Sequence, residues 1–248
     1  MFSIRMLIRN TKKFVKYYFF PNSKLTKDLL YLIKKNKVKE PVIFDVGAYH
    51  GNWISNYLKY FPNTFAYLFE PYESSYKILK KRFKKKKRVN VFNNALSSSE
   101  GFLDVNINTK AYTNSLLDLD PLASQSWEND ELKHQKKIQV NVTTLDEFFF
   151  KIFNDHKRIN LIKLDVQGLE SKVLQGGSKL LSKQLVDIFL VEMIVAPTYN
   201  SQSKLSDLFK IFEENEYYLY GIYDIEKASK FGKIQQFDAI FLNEKFPI

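Results

Sequence analysis

The sequence contains no cysteine and only three histidines in 248 residues. The first absence excludes disulfides, thiolate nucleophiles and Cys-ligated zinc or iron–sulfur sites. No apolar run approaches the roughly 18 residues that span a bilayer, and the first residues lack the continuous apolar stretch of a secretory signal. A soluble protein that stays in the cytoplasm is expected. Two nucleotide signatures are also missing: there is no G-x-x-x-x-G-K-[ST] for a P-loop and no G-x-G-x-x-G for a pyrophosphate-binding turn.

What is present is 45% hydrophobic and 16% aromatic residues, enough for one large core in one domain. The net charge of +11 is unevenly spread: residues 1–27 carry +7 with no acid and Lys80–Arg88 carries +8, so the remainder sums to −4. A mildly acidic body thus bears two basic appendages. In residues 1–20, Ile4, Leu7, Ile8, Phe14, Val15 and Tyr18 fall at helical spacing with the bases mostly opposite. Such a helix lies either on the domain or a second subunit, or on an anionic membrane as a peripheral contact at its inner face. Nucleic acid is not expected as a partner, because Lys80–Arg88 interleaves one aromatic, Phe83. That run complements a helix C-terminus and reads as a solvated face, with a polyanionic acceptor as the alternative.

Residues 1–40 read as an N-terminal helical extension, with Leu25–Lys35 its second helix. Residues 41–248 read as one domain carrying an insertion or lid at about 101–143. From Pro41 the text alternates strand (Val42–Val46), helix (Asn52–Tyr60), strand (Phe65–Phe69), helix (Ser74–Phe83) and strand (Val89–Phe92). After an irregular stretch, residues 108–135, of the length that marks a binding loop, Ile138–Val142 is expected to pair with Phe102–Ile107, a strand of alternating outward and inward residues. Thr144 with Glu147 reads as a capped helix start. Then come a strand at Asn160–Val166, a helix at Ser171–Leu181 bent or cut short at Gly176-Gly177, and strands at Val186–Met193, Tyr217–Ile222 and Phe237–Leu242, with a helix at Lys204–Asn215. The order implies an α/β fold with a mostly parallel sheet.

Asp45, Glu70 and Asp165 end three buried strands, and Glu192 lies near the end of a fourth. Ligands in open α/β sheets sit outside the carboxyl ends of the strands, so these acids converge on one crevice. Asp45 beside Gly47 and Gly51 offers an anion, not a phosphate cradle, and Gly47 lets backbone approach a ligand. Glu70 is placed to accept hydrogen bonds from ribose hydroxyls. A cationic, ribose-bearing, phosphate-free ligand is S-adenosylmethionine.

The blocks Phe44-Asp-Val-Gly-Ala-Tyr-His-Gly51, Phe69-Glu-Pro71, Asn94-Ala-Leu-Ser97, Thr144-Leu-Asp146, Ile162-Lys-Leu-Asp-Val-Gln-Gly-Leu-Glu170 and Phe237-Asp-Ala-Ile-Phe241 resemble the FkbM family of S-adenosylmethionine-dependent methyltransferases over residues 41–243. The resemblance implies a class I methyltransferase (Rossmann-like) fold, a seven-stranded, mostly parallel sheet with helices on both faces, and O-methylation of a hydroxyl. It implies that Asp45, Gly47, Ala48 and Gly51 line the methionine end of the cofactor, Glu70 and Pro71 the ribose, and Asn94, Ala95 and Leu96 the adenine side. Asp165, Gly168 and Glu170 would shape the reactive end. The chain departs from the family's usual residues at Tyr49-His50, where Asn is common, and at Gln167, where Glu is common.

Methyl transfer needs alignment and a base for the hydroxyl. Asp165 is the first candidate, as base or as ligand of a divalent metal; Glu192 is the second, and His50 the third, with a packing role as its alternative. His134 and His156 lie in polar surroundings and read as solvated. No His/Asp cluster has metal-ligand spacing, so a divalent metal lacks support. The expected acceptor is a hydroxyl of a glycan, a glycolipid precursor or a secondary metabolite. The competing reading is a non-catalytic module that keeps the fold for carbohydrate or membrane contact.

Overall fold

The computed structural model describes residues 23–108, 114–123, 127, 134–153, 158–227 and 232–247. The amphipathic segment 1–20 and His156 lie outside the described residues. The first described element is helix α1 (Lys24–Lys35), whose N-cap Ser23 accepts from the Thr26 amide. Strand β1 (Val42–Val46) leads into helix α2 (Asn52–Tyr60), β2 (Phe65–Phe69) into α3 (Glu73–Phe83), and then come β3 (Val89–Phe92) and the short β4 (Ala95–Leu96). Strands β5 (Gly101–Asn108) and β6 (His134–Thr143) precede α4 (Leu145–Glu147), a π-helical turn at Phe148–Ile152, and β7 (Ile159–Leu164). Helices α5 (Glu170–Gln175) and α6 (Ser178–Ser182), β8 (Val186–Ile194), α7 (Leu205–Glu214), β9 (Tyr217–Lys227) and β10 (Ile234–Asn243) complete the order.

Seven strands form the main sheet in the order β3-β2-β1-β7-β8-β10-β9. The first five are parallel, while β10 runs antiparallel to both β8 and β9. All positions of β1 and β8 are buried, as expected of strands covered on both faces. Alternate side chains of β1 serve different layers. Phe44 and Val46 join one cluster with Phe148, Val173, Leu181 and Phe212, and Ile43 joins another with Ile54, Tyr57 and Leu79. Much of the aromatic content fills the first layer: Phe44 meets Phe148 and Phe153 edge-on at centroid distances of 5.5 and 5.4 Å. Helix α1 belongs to the second layer through Leu29, Leu32 and Ile33. Tyr223 Oη donates to its Asp28 at 2.8 Å, so this part of the extension is built into the core.

The three-stranded sheet β4-β6-β5 pairs β5 with β6 antiparallel, the ribbon expected from sequence. The expected alternation along β5 is replaced by four exposed positions followed by four buried ones, because Ser115 bridges to Asn106 and covers the second half. Thr144 caps α4 by accepting from the Glu147 amide at 3.0 Å. Gly176 and Gly177 separate α5 from α6, and the break has a steric reason: a Cβ on Gly176 would lie 2.0 Å from the Ser97 carbonyl oxygen. Backbone cannot yield as a side-chain tip can. Gly176→Ala is therefore expected to cost about 2 kcal/mol or more, read as a fall in the midpoint of urea unfolding.

Candidate active site

The strand order reverses beside β1, whose neighbours are β2 and β7. A pocket of about 700 Å3, solvent at its mouth included, opens at the carboxyl ends of these strands. Gly47, Asp165 and Gln167 line it from the β1 and β7 ends, Glu70, Pro71 and Tyr72 from the β2 end. Asn94, Ala95 and Leu96 line it from β4 and its approach, and Ser115 and Leu116 from the long loop.

Seven of the residues singled out in sequence thus share one pocket: Gly47, Glu70, Pro71, Asn94, Ala95, Leu96 and Asp165. The others lie around it. Asp45 is buried at the end of β1, Ala48 is buried in the second layer of the core, and Gly51 is the N-cap of α2 with φ +72°. Glu192 lies outside the pocket wall, tied to it through Gln167. His50 also lies outside the wall, its ring stacked on Tyr49 at 3.7 Å. The basic run contributes nothing to the wall. Within it, Arg82 donates to the His50 carbonyl and Arg88 to Glu40 at 2.8 Å, while the lysines are exposed. Gly47 is demanded by a neighbour as much as by any ligand: at φ +81°, a Cβ there would lie 1.9 Å from the Asp165 carbonyl oxygen.

Sequence reasoning missed Lys163. It sits opposite Asp45 in the register of β1 and β7, and its ammonium lies 3.7 Å from Asp45 Oδ1 and 3.1 Å from Asp165 Oδ2. The signal was a lysine in a buried strand two residues before an acid, hence on the same face. Gln167, noted in the sequence as a departure from the family's usual Glu, joins several parts of the site. Its Nε2 donates to Asp165 Oδ1 at 2.9 Å and to Glu192 Oε2 at 2.7 Å, while its Oε1 accepts from Tyr199 Oη at 2.9 Å. Its backbone carbonyl accepts from Ser115 Oγ at 2.8 Å, linking loop and site. The described part of that loop is docked on the segment after β8: Leu119 bridges to Tyr199, and Trp127 Nε1 donates to Thr198 Oγ1 at 2.8 Å.

Burial dominates the electrostatics. It lifts the Asp45 carboxyl to about 6, with Asp165 adding to the effect and Lys163 opposing it. Glu70 rises to about 7 by burial, against the hydrogen bonds it accepts from the Tyr72 and Tyr49 amides at 2.9 and 2.7 Å. Glu170 rises to about 7 for the same reason, although it accepts from the Val166 and Gly168 amides at 3.2 Å. Burial alone would lower Lys163, but Asp165 and Asp45 together raise it. Neither Asp45 oxygen has a hydrogen-bond partner among the described residues. A buried, under-satisfied anion with a single ammonium nearby fits a site that receives a cationic ligand. The described carboxylates of the site outnumber its one cation.

These shifts set a pH dependence. The three raised acids hold protons more tightly in the folded than in the unfolded chain, so the ligand-free protein gains stability as pH falls from about 7 towards 4. Unfolding free energy is expected to increase by about 3 to 5 kcal/mol between pH 8 and pH 5.5, measured by urea denaturation, and the increase should shrink in Glu170→Gln.

Several solved structures align with this architecture. A putative sarcosine dimethylglycine methyltransferase from Galdieria sulphuraria aligns with 88% of this chain and 86% of its own at TM-score 0.50 and 8% identity. TrmK of M. capricolum in complex with S-adenosyl-homocysteine aligns with 87% and 68% at TM-score 0.43 and 12% identity. An Aquifex aeolicus SAM-dependent methyltransferase aligns with 86% and 87% at TM-score 0.43 and 11% identity. No curated protein sequence matches the chain. The family described as Methyltransferase FkbM domain matches residues 45–219, well over half the chain, and this protein accordingly belongs to the FkbM family of S-adenosylmethionine-dependent methyltransferases.

Proposed function

We propose that the chain methylates a hydroxyl group of a glycan, a glycolipid precursor or a secondary metabolite, with Asp165 as the base. The observation that carries this reading is the Asp165 carboxylate in the pocket wall, supplied with one donor on each oxygen, Gln167 Nε2 and Lys163 Nζ. Donors of this kind favour the ionised form that a base requires. The bound cofactor supplies a methyl group already activated by its sulfonium. The chain then has to orient the acceptor oxygen, keep water out and take up one proton. Glu192, 4% exposed and hydrogen-bonded to Gln167 and Gln236, supports Asp165 from behind the amide and is not itself the base. His50 is assigned the packing role, under Tyr49.

Glu70 serves the ribose in this reading. The Tyr49 and Tyr72 amides fix one lone pair on each of its oxygens, which leaves the other on each for a pair of hydroxyls. Gly47 borders the methionine end and Asn94 to Leu96 the adenine side. Asp45 acts at one remove, by field. Among the described residues no three His, Cys, Asp or Glu side chains are grouped to hold a metal ion, and no role is assigned to one. Among the same residues no helix is long and apolar enough to cross a membrane; contact through residues 1–20 with an anionic inner membrane face is retained as part of the proposal.

Calorimetry with S-adenosylmethionine is expected to show binding by the wild type and a loss of about tenfold or more in Glu70→Ala, the cost of removing a charged acceptor. Wild-type protein that binds no cofactor would overturn the reading. Because protonated Glu70 loses acceptor capacity, affinity is expected to fall as pH drops from 8 to 6. Asp165→Asn should hold the cofactor within about threefold yet fail, in a deletion strain, to restore a methyl mark found by mass spectrometry on glycans or metabolites of the parent. A restored mark would remove Asp165 as base.

A further inference from the structure

The turn after β1 holds three residues in the left-handed region: Gly47 at φ +81°, Tyr49 at +48° and Gly51 at +72°. Two are glycines, for which that conformation is free. The third is a tyrosine, for which it is a strained exception. The backbone shape has a clear use, since it delivers the Tyr49 amide to Glu70 Oε2 at 2.7 Å. Glycine or asparagine would deliver the same amide with less strain. The aromatic ring is therefore kept at a cost that the backbone does not require, and strain of this kind gathers where a side chain has a task.

The surroundings of the ring indicate the task. Tyr49 lines the pocket between Gly47 and Glu70, where the methionine end of the cofactor meets its ribose in the reading above. The His50 imidazole lies parallel to the Tyr49 ring, 12° off and 3.7 Å away. Burial and the nearby Arg82 guanidinium both lower the His50 pKa, which favours a neutral imidazole as the stacked partner. Arg82 holds the turn in place through the His50 carbonyl and Asn52 Oδ1. The acids facing this stretch are Glu70 and Asp165 in the wall, with Asp45 buried behind. Among the described residues the wall carries no cation.

We propose that Tyr49 selects the charged form of the cofactor, its ring offering the sulfonium an electron-rich face, so that the site holds S-adenosylmethionine in preference to the neutral thioether left after transfer. The inference rests on the cofactor site proposed above. Aromatic faces recognise onium groups by the charge, and the attraction lapses when the charge is gone. On transfer the acceptor oxygen would form the new O–CH3 bond and give its proton to Asp165, the electron pair of the broken S–CH3 bond would remain on sulfur, and the neutral thioether would lose its hold on the ring. Product release is built into the same contact that favours loading.

The test is calorimetry of S-adenosylmethionine and S-adenosylhomocysteine on wild type, Tyr49→Phe, Tyr49→Leu and Tyr49→Asn. Tyr49→Phe keeps the ring and is expected to stay within about threefold of wild type for both ligands. Tyr49→Leu and Tyr49→Asn should lose about five- to thirty-fold for S-adenosylmethionine and less than about threefold for the homocysteine. Tyr49→Asn should also melt higher than wild type, because it relieves the turn; tighter folding with weaker loading is an outcome that a merely structural tyrosine does not give. Equal losses for the two ligands, or a Phe variant as weak as the Leu variant, overturn the proposal while leaving the cofactor site standing. A wild type that binds neither ligand overturns both.

Discussion

The register of β1 against β7 sets Asp45 beside Lys163, and the site depends on that juxtaposition. One ammonium, buried between two strands, is shared by Asp45 and Asp165. Removing either acid would leave the lysine a poorer partner, and removing the lysine would leave two carboxylates facing each other out of water. The same register brings Gly47 against the Asp165 carbonyl, where no side chain fits. Backbone contact and buried charge thus fix the junction of the two strands twice over, and the pocket is whatever space that junction leaves.

From Asp165 the polar network continues outward. Gln167 carries it to Glu192 and Tyr199, Gln236 closes it from β10, and Ser115 ties in the long loop. An amide is suited to this place. Its two N–H groups face two carboxylates, and the Tyr199 hydroxyl, by donating to the amide oxygen, fixes which end points which way. A carboxylate at the same position would face two others, with the Lys163 ammonium and the Tyr199 hydroxyl to offset all three.

Much of this was legible in the sequence, for identifiable reasons. Runs such as Val42–Val46 and Val186–Met193 announce strands buried on both faces, and acids at their ends announce a crevice. Thr144 with Glu147 announced a cap, and Gly176-Gly177 a break. What the sequence did not announce was pairing across distance. Lys163 reads as one charge in an apolar run until the strand opposite is known, and Gln167 reads as a neutral substitute until its neighbours are. Alternation along Phe102–Ile107 suggested a strand wetted on one side; the covering of its second half comes from Ser115, outside any periodic pattern. The helix expected at Leu25–Lys35 was legible as a helix, but not its partner: Asp28 bonds Tyr223, in a strand 195 residues later.

The place of β10 bears on how the molecule is made. It lies between β8 and β9 and pairs with both, yet both are synthesised before it. In the sheet β9 pairs with β10, its neighbour in sequence, so the two form a hairpin that docks on the open edge of β8. Phe237, Ala239 and Phe241 fill part of the core only when that hairpin arrives, and Gln236 reaches Glu192 in the same event. The network behind the pocket is thus completed by the docking of that hairpin on β8, a non-local pairing of the kind that folds slowly. Catalytic competence and closure of the sheet become one step in the birth of the protein.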